Sequence, residues 1–280
     1  MRIKQIIRRL LNLQEQIYVQ ITVAQIKHGH TLAGKRIIIT GGSRGLGLAM
    51  AKKFLAEGAT VLITGRNQAH LDKAIEEIRS EKLLTERFDA NDIDGIPVFM
   101  DGCFKKLGTV DALVSNAGIS LHDGNILNVT SESFDETITT NLKSHYFMAK
   151  AFINHKLSEA KSGSLLFITS KDGSVCGEIP YPLTKASINS LVGGLSTNYY
   201  RKGIRVNAIA PGVTLTDMTR SYAEKADGNM YARNYAGRVF LPEEVAEVAT
   251  FMLCDASACI NGQIIFTDGG DHIKSNVKIN

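Results

Sequence analysis

A doubly wound α/β fold, with a mostly parallel seven-stranded sheet carrying helices on both faces, is predicted by three observations. Short β-branched runs alternate with longer amphipathic ones from Lys35 onward, the pattern of βαβ units. The runs IIIT and LLFIT are apolar at every position but the last, as suits strands buried on both faces. A glycine-rich turn, TGGSRGLG (40–47), separates the first strand from the first helix. Taken in order, KRIIIT (35–40) predicts a strand, and Arg44 to Glu57 a helix ended by Gly58. ATVLIT (59–64) is a strand, after which Asn67 caps a helix to about Ser80. LLTERF (83–88) and DALVSN (111–116) are strands, residues 131–156 a helix, and SGSLLFITS (162–170) a strand. A helix from Pro182 to about Arg201, the strand GIRVNAIA (203–210), a helix over 242–254 and the strand GQIIFTD (262–268) complete the sheet. No Pro/Ser-rich linker or repeat divides the chain. One domain over 34–280 after a basic arm at 1–33 is the simplest reading.

The glycine turn points to a nucleotide. A turn built from Gly41, Ser43, Arg44, Gly45, Leu46 and Gly47 brings the backbone close to a pyrophosphate. The helix that follows then offers unpaired N–H groups and the positive end of its dipole. Position between a strand and a helix is the context this Rossmann-like signature requires. The second strand ends in Thr64-Gly65-Arg66, with no acid to accept from a ribose 2′-OH. Arg66, helped by Arg44, suits a 2′-phosphate instead, through charge-assisted guanidinium bonds. NADP(H) is therefore the expected cofactor, in preference to NAD(H).

With these motifs in order, the sequence resembles the short-chain dehydrogenase/reductase family in its single-domain form. The likeness runs from Gly34 to about Asp271. It rests on TGGSRGLG, Asp89 after the third strand, SNAG (115–118), Asn141 in TTNLKS, Ser170 in FITS, Tyr181 and Lys185 in YPLTK, RVNAIAPGVTLT (205–216), and LPEEVA with NGQIIFTDGG. The resemblance implies that Asp89 binds adenine, that Asn116, Ala117 and Gly118 border the cofactor, and that Pro211, Gly212, Val213 and Thr216 contact its nicotinamide end. It implies a catalytic set of Asn141, Ser170, Tyr181 and Lys185. The C-terminal segments resemble those of 3-oxoacyl-thioester reductases, and sugar, polyol and steroid enzymes share them. Three departures stand out. Ser115 replaces the first of two usual asparagines, DGIP (94–97) delays the start of a helix, and Ser170 precedes Tyr181 by eleven residues, about two fewer than usual in the family.

A free phenol, with a pKa near 10, is a poor acid at neutral pH. An ammonium four residues on, with a positive nicotinamide, lowers that value. Tyr181 then gives its proton to the alkoxide that develops as hydride reaches a carbonyl carbon. The resemblance further implies that Ser170 orients that oxygen, that Lys185 holds the nicotinamide ribose, and that Asn141 supports a water chain that reprotonates the tyrosine. Pro182 is expected to start the helix, leaving Tyr181 at its entrance rather than inside it.

Charge and cysteine usage exclude other classes. Residues 1–36 hold seven Lys/Arg and one acid, and the rest of the chain is near neutral. The body therefore carries no electrostatic footprint for nucleic acid. Cys103, Cys176, Cys254 and Cys259 form no CxxC and the histidines no HExxH. No metal site and no disulfide framework is expected, and the reading is a cytoplasmic enzyme. No apolar run is long enough to span a bilayer. In the arm, Ile3, Ile6, Leu10, Leu13 and Ile17 follow helical spacing, whereas IYVQITVA alternates with period two. Packing on the domain or on a neighbouring subunit is favoured there over contact of residues 1–26 with a membrane. Residues 217–240, with Tyr222, Met230, Tyr231 and Tyr235, read equally as a substrate lid and as surface packing. Relatives are usually homo-tetramers or dimers joined through the helices containing Asn141 and Lys185. The expected activity is carbonyl/alcohol oxidoreduction with NADP(H). A sugar or polyol dehydrogenase and a non-catalytic NADP-binding regulator are the alternatives.

Overall fold

The structure, a computed structural model, describes residues 29–219 and 234–273. The proposed N-terminal arm through residue 28, and Tyr222, Met230 and Tyr231 of the 217–240 segment, lie outside them. Seven strands form one sheet: β1 (Arg36–Ile39), β2 (Thr60–Gly65), β3 (Leu83–Arg87), β4 (Ala112–Ser115), β5 (Gly163–Ile168), β6 (Ile204–Pro211) and β7 (Ile264–Thr267). Their order is β3-β2-β1-β4-β5-β6-β7. Every neighbouring pair is parallel, so the sheet is wholly rather than mostly parallel. Each strand returns to the sheet through a crossover that leaves room for a covering helix, which is what parallel pairing requires.

The apolar runs bury both faces. Ile37 and Ile39 join one core with α1 (Gly45–Ala56), α2 (Gln68–Ile78) and α7 (Pro242–Leu253). Ile38, between them, joins a second core with α3 (Ile96–Leu107), α5 (Ser144–Ser158) and α6 (Pro180–Tyr199). Alternate side chains of one strand therefore feed opposite layers. Leu32 is fully buried in the first core, and Leu32 N–H donates to the Glu57 carbonyl (3.0 Å). Packing of the body is thus already under way before residue 34.

Local chemistry sets the helix ends. The Asn67 side chain accepts from His70 N–H and caps α2. α3 starts late, at Ile96, because Asp92 accepts from Gly95 N–H (3.0 Å) and Pro97 stands in the first turn. The expected helix over 131–156 is one run in three parts: α4 (Ser131–Ile138), a π-helical turn (Thr139–Lys143), then α5. Such a turn inserts one residue into the ladder and re-aims side chains, often at functional sites.

One expectation is corrected. α6 begins at Pro180, not Pro182, so Tyr181 lies inside the first helical turn. First-turn N–H groups have no intrahelical acceptor, so both prolines forfeit nothing. The carbonyl that the Pro182 ring would strike belongs to Glu178, which lies outside the helix.

Candidate active site

Strand order reverses between β1 and β4, and the glycine turn stands at the carboxyl end of β1. In open parallel sheets this crevice is where ligands bind. The turn is packed so closely that side chains are excluded. Gly41 has φ of 65°, and a Cβ there would lie 2.9 Å from the Ala117 Cα. A Cβ on Gly47 would lie 2.3 Å from the Gly41 carbonyl oxygen. Asn116 locks the turn from β4: its Nδ2 donates to the Thr40 and Gly41 carbonyls (2.9 and 3.1 Å), and Thr40 Oγ1 accepts from Asn116 and Ala117 N–H. α1 opens at Gly45 with no side-chain cap, which leaves its first-turn N–H groups for a phosphate. Bare backbone, a helix N-terminus and glycine at each close approach fit a dinucleotide.

Ser43 Oγ lies 3.0 Å from the position of a Gly65 Cβ, so the turn adjoins the end of β2 and Arg66. Arg66 is exposed. Arg44 is exposed too and leans toward Asp217 (3.8 Å). Asp89 is exposed beyond β3, its Oδ1 accepting from Asn91 N–H (3.0 Å). On the other side, Thr216 Cγ2 stands 3.4 Å from the position of a Gly45 Cβ. Pro211 ends β6, and Gly212 and Val213 bond to Thr267 and Phe240.

Deeper in, three groups meet. A Cβ on Gly118 would lie 3.4 Å from Asn141 Oδ1 and 3.7 Å from Lys185 Nζ. Asn141 is fully buried in the π-helical turn and grips Ile119 twice, accepting from its N–H (2.9 Å) and donating to its carbonyl (2.8 Å). One lone pair and one N–H of that amide remain for other partners. Lys185 Nζ donates to the Ile168 carbonyl (3.0 Å) and sits 5.7 Å from the Tyr181 ring centre. Its burial pushes the ammonium down to a pKa of about 8, because desolvation disfavours the charge. Ser170 is buried two residues beyond β5, and its Oγ accepts from Asp172 N–H (3.1 Å). The hydroxyl hydrogen has no acceptor among the described residues. The short turn after Ser170 lies on α6: a Cβ on Gly173 would sit 2.8 Å from the Lys185 carbonyl carbon. Further along, a Gly177 Cβ would strike the Pro182 ring at 2.4 Å. The eleven-residue spacing is thus accommodated by glycines at both contacts.

Residues 41–272 match a family model described as enoyl-(acyl carrier protein) reductase, of the short-chain dehydrogenase type. The chain belongs to the short-chain dehydrogenase/reductase family. It is an NAD(P)-dependent oxidoreductase accordingly. Gluconate 5-dehydrogenase of Gluconobacter oxydans (strain 621H) is 32% identical over 246 residues, covering 86% of this chain and 95% of that protein. A 3-oxoacyl-[acyl-carrier-protein] reductase of Chlamydia pneumoniae is 34% identical over 245 residues, covering 86% and 98%. Among solved structures, the 3-ketoacyl-(acyl-carrier-protein) reductase of Brucella melitensis complexed with NADH is similar, with TM-score 0.78, 28% identity and coverage of 86% and 100%. ElxO with NADP bound is similar as well, with TM-score 0.79, 28% identity and coverage of 84% and 98%.

Two side chains beside this short-chain dehydrogenase/reductase site escaped the sequence reading. Arg87 pairs in register with Gly65, and its Nε donates to the Arg66 carbonyl (3.2 Å), which sets a second exposed guanidinium at the end of β2. Only knowledge that β3 neighbours β2 would have found it. His145 is buried one turn after Asn141, with Nδ1 2.7 Å from Ser115 Oγ and Nε2 2.6 Å from the Ala117 carbonyl. The unusual Ser115 was the available signal, because a serine in a buried strand end needs a partner.

Proposed function

We propose that this chain is an NADP(H)-dependent carbonyl reductase of the 3-oxoacyl-thioester type, with Tyr181 as proton donor. One observation carries the reading: a buried ammonium lies 5.7 Å from the ring centre of Tyr181, at the crevice made by the glycine turn and Gly118. A nicotinamide held at this crevice would supply the hydride for the carbonyl carbon. Tyr181 protonates the oxygen that becomes an alkoxide. Lys185 stabilises the phenolate left behind and, with Gly118 beside it, would hold the nicotinamide ribose. Ser170, with its hydroxyl hydrogen unspent, donates to the substrate oxygen. Asn141 fixes Ile119 and spends its remaining lone pair and N–H on the water chain that returns a proton. General acid help of this kind is worth about 10²–10⁴ in rate.

Preference for NADP(H) is supported by Arg66 and Arg87, which present two guanidiniums where an NAD-selective site offers a carboxylate. Gly41, Ser43, Arg44, Gly45, Leu46 and Gly47 would hold the phosphates, Asp89 the adenine, and Pro211, Gly212, Val213 and Thr216 the nicotinamide end. Residues 34–280 would act as one oxidoreductase domain, assembled as a homo-oligomer in the cytoplasm. A second reading, oxidation of a sugar acid or polyol, is favoured by likeness to gluconate 5-dehydrogenase. Cofactor titration followed by a panel of 3-oxoacyl thioesters, keto sugar acids and their alcohols separates the two. Higher kcat/KM on the thioesters with NADPH is expected. Higher kcat/KM on the sugar acids selects the second reading, and nucleotide binding without turnover on any member overturns both.

A further inference from the structure

The tail of β4 is held from one side by two side chains of the helical run that packs across it. Asn141 bonds both backbone groups of Ile119. His145, one turn later, bonds the Ala117 carbonyl at 2.6 Å and Ser115 Oγ at 2.7 Å. Residues 115, 117 and 119 stand at alternate positions, and two side chains one helical turn apart meet them in succession. Gly118 sits between the two grips, against Lys185 Nζ.

The hydrogens on His145 follow from its partners. A carbonyl only accepts, so Nε2 carries the hydrogen toward Ala117. Nδ1 is then a lone pair, and Ser115 must donate to it. Both nitrogens are spent and both partners are satisfied in a buried site. Burial pushes His145 down to a pKa of about 3, and the Lys185 charge adds to the effect. The ring therefore stays neutral and adds no positive charge beside Lys185. Ser115 stands where this family usually has asparagine.

We propose that His145, locked by Ser115, is a positioning residue for the proton-transfer site: it fixes the Asn116–Gly118 turn against Lys185. The proposal rests on the reductase reading above. Displacement of a reacting group by about 1 Å costs on the order of 10² in rate, and the Ala117 carbonyl has no other partner among the described residues to restrain it.

The test compares His145→Leu, His145→Gln and Ser115→Ala/His145→Leu, reading kcat on the best panel substrate, NADPH affinity by nucleotide fluorescence, and Tm. Glutamine carries a donor and an acceptor at a separation close to that of the imidazole nitrogens. Expected are a kcat loss of about 10–100-fold in His145→Leu, NADPH affinity within about 3-fold of wild type, and recovery of most of the rate in His145→Gln. Adding Ser115→Ala to His145→Leu should raise Tm, since it removes a stranded hydroxyl, without restoring kcat. A wild-type kcat in His145→Leu, or a His145→Gln as slow as His145→Leu, overturns the clamp. Should His145→Leu not fold, His145→Met replaces it: its thioether has no hydrogen to give the Ala117 carbonyl, and a wild-type rate there overturns the clamp too. Tyr181→Phe is the control. If it is dead while His145→Leu is unimpaired, the clamp fails and the reductase reading stands. If it is fully active, the reading itself fails.

Discussion

Lys185 is an ammonium taken out of water and given one carbonyl, that of Ile168, in return. Its lowered pKa follows from that exchange and not from a neighbouring cation, since desolvation is the only cause at work. A partly destabilised ammonium gains from a nearby phenolate, and in the proposed mechanism that gain favours proton transfer from Tyr181. Tyr181→Phe is expected to keep NADPH affinity within about 2-fold and to lower kcat by about 10²–10⁴; stopped-flow hydride transfer checks it, and an unchanged rate would assign the proton to another group. Arg66→Asp tests the proposed contact with a 2′-phosphate. Charge-assisted hydrogen bonds are worth about 1.5–3 kcal/mol, so NADPH affinity should fall about 10–100-fold more than NADH affinity. Titration with both nucleotides reads the difference, and equal losses would remove Arg66 from the 2′-phosphate.

Elements act here through their ends. α1 begins at the glycine turn, and just beyond its C-terminus stands Glu57, whose buried carboxylate takes Lys53 Nζ (2.9 Å) and Thr31 N–H (3.1 Å). The Lys53 hydrogen bond foremost, with help from Thr31, holds the Glu57 carboxyl down at a pKa of about 2. A carboxylate with a depressed folded-state pKa binds fewer protons folded than unfolded. Its contribution is complete above the ordinary value of 4.5 and is lost as pH falls toward about 2. Glu57→Gln should therefore cost about 1–2 kcal/mol at pH 7, with the gap to wild type closing between pH 4.5 and 2. Urea unfolding across that range measures it, and a gap independent of pH would mean that the charge is not what ties residue 31 to α1. The π-helical turn is the other element-scale device. It carries Asn141, which grips Ile119, and one turn later His145 grips Ala117, so both grips on the segment after β4 come from one helical run.

At the scale of the molecule, two apolar layers clamp a seven-stranded parallel sheet whose open end gathers the site. Phe134, Tyr146 and Leu157 remain exposed on α4 and α5, and Leu183 on α6. The helical runs that contain Asn141 and Lys185 thus turn apolar side chains outward, which supports assembly through them. Tyr146→Glu with Leu183→Glu should convert an oligomer to monomer with its far-UV spectrum intact. Sedimentation velocity reads the outcome, and an unchanged mass would move the contact elsewhere. The fold was legible in the order of strands and helices because burial on both faces leaves apolar runs and because glycines cannot be exchanged where backbones nearly touch. Gly41 and Gly47 are such positions, each with the Asn116 amide directly against it. The late start of α3 was legible from DGIP for the same reason, since an aspartate cap and a proline act locally. The start of α6 was not, because the clash that would exclude Pro182 depends on where residue 178 lies. Sequence alone determined the class of fold, the glycine turn and the tyrosine–lysine spacing, because apolar runs, glycines and a four-residue interval are all written locally in the chain. Tertiary structure alone decided that Arg87 joins Arg66 and that His145 meets Ser115 and Ala117, because strand order and helix packing bring together groups that the chain separates by twenty or thirty positions.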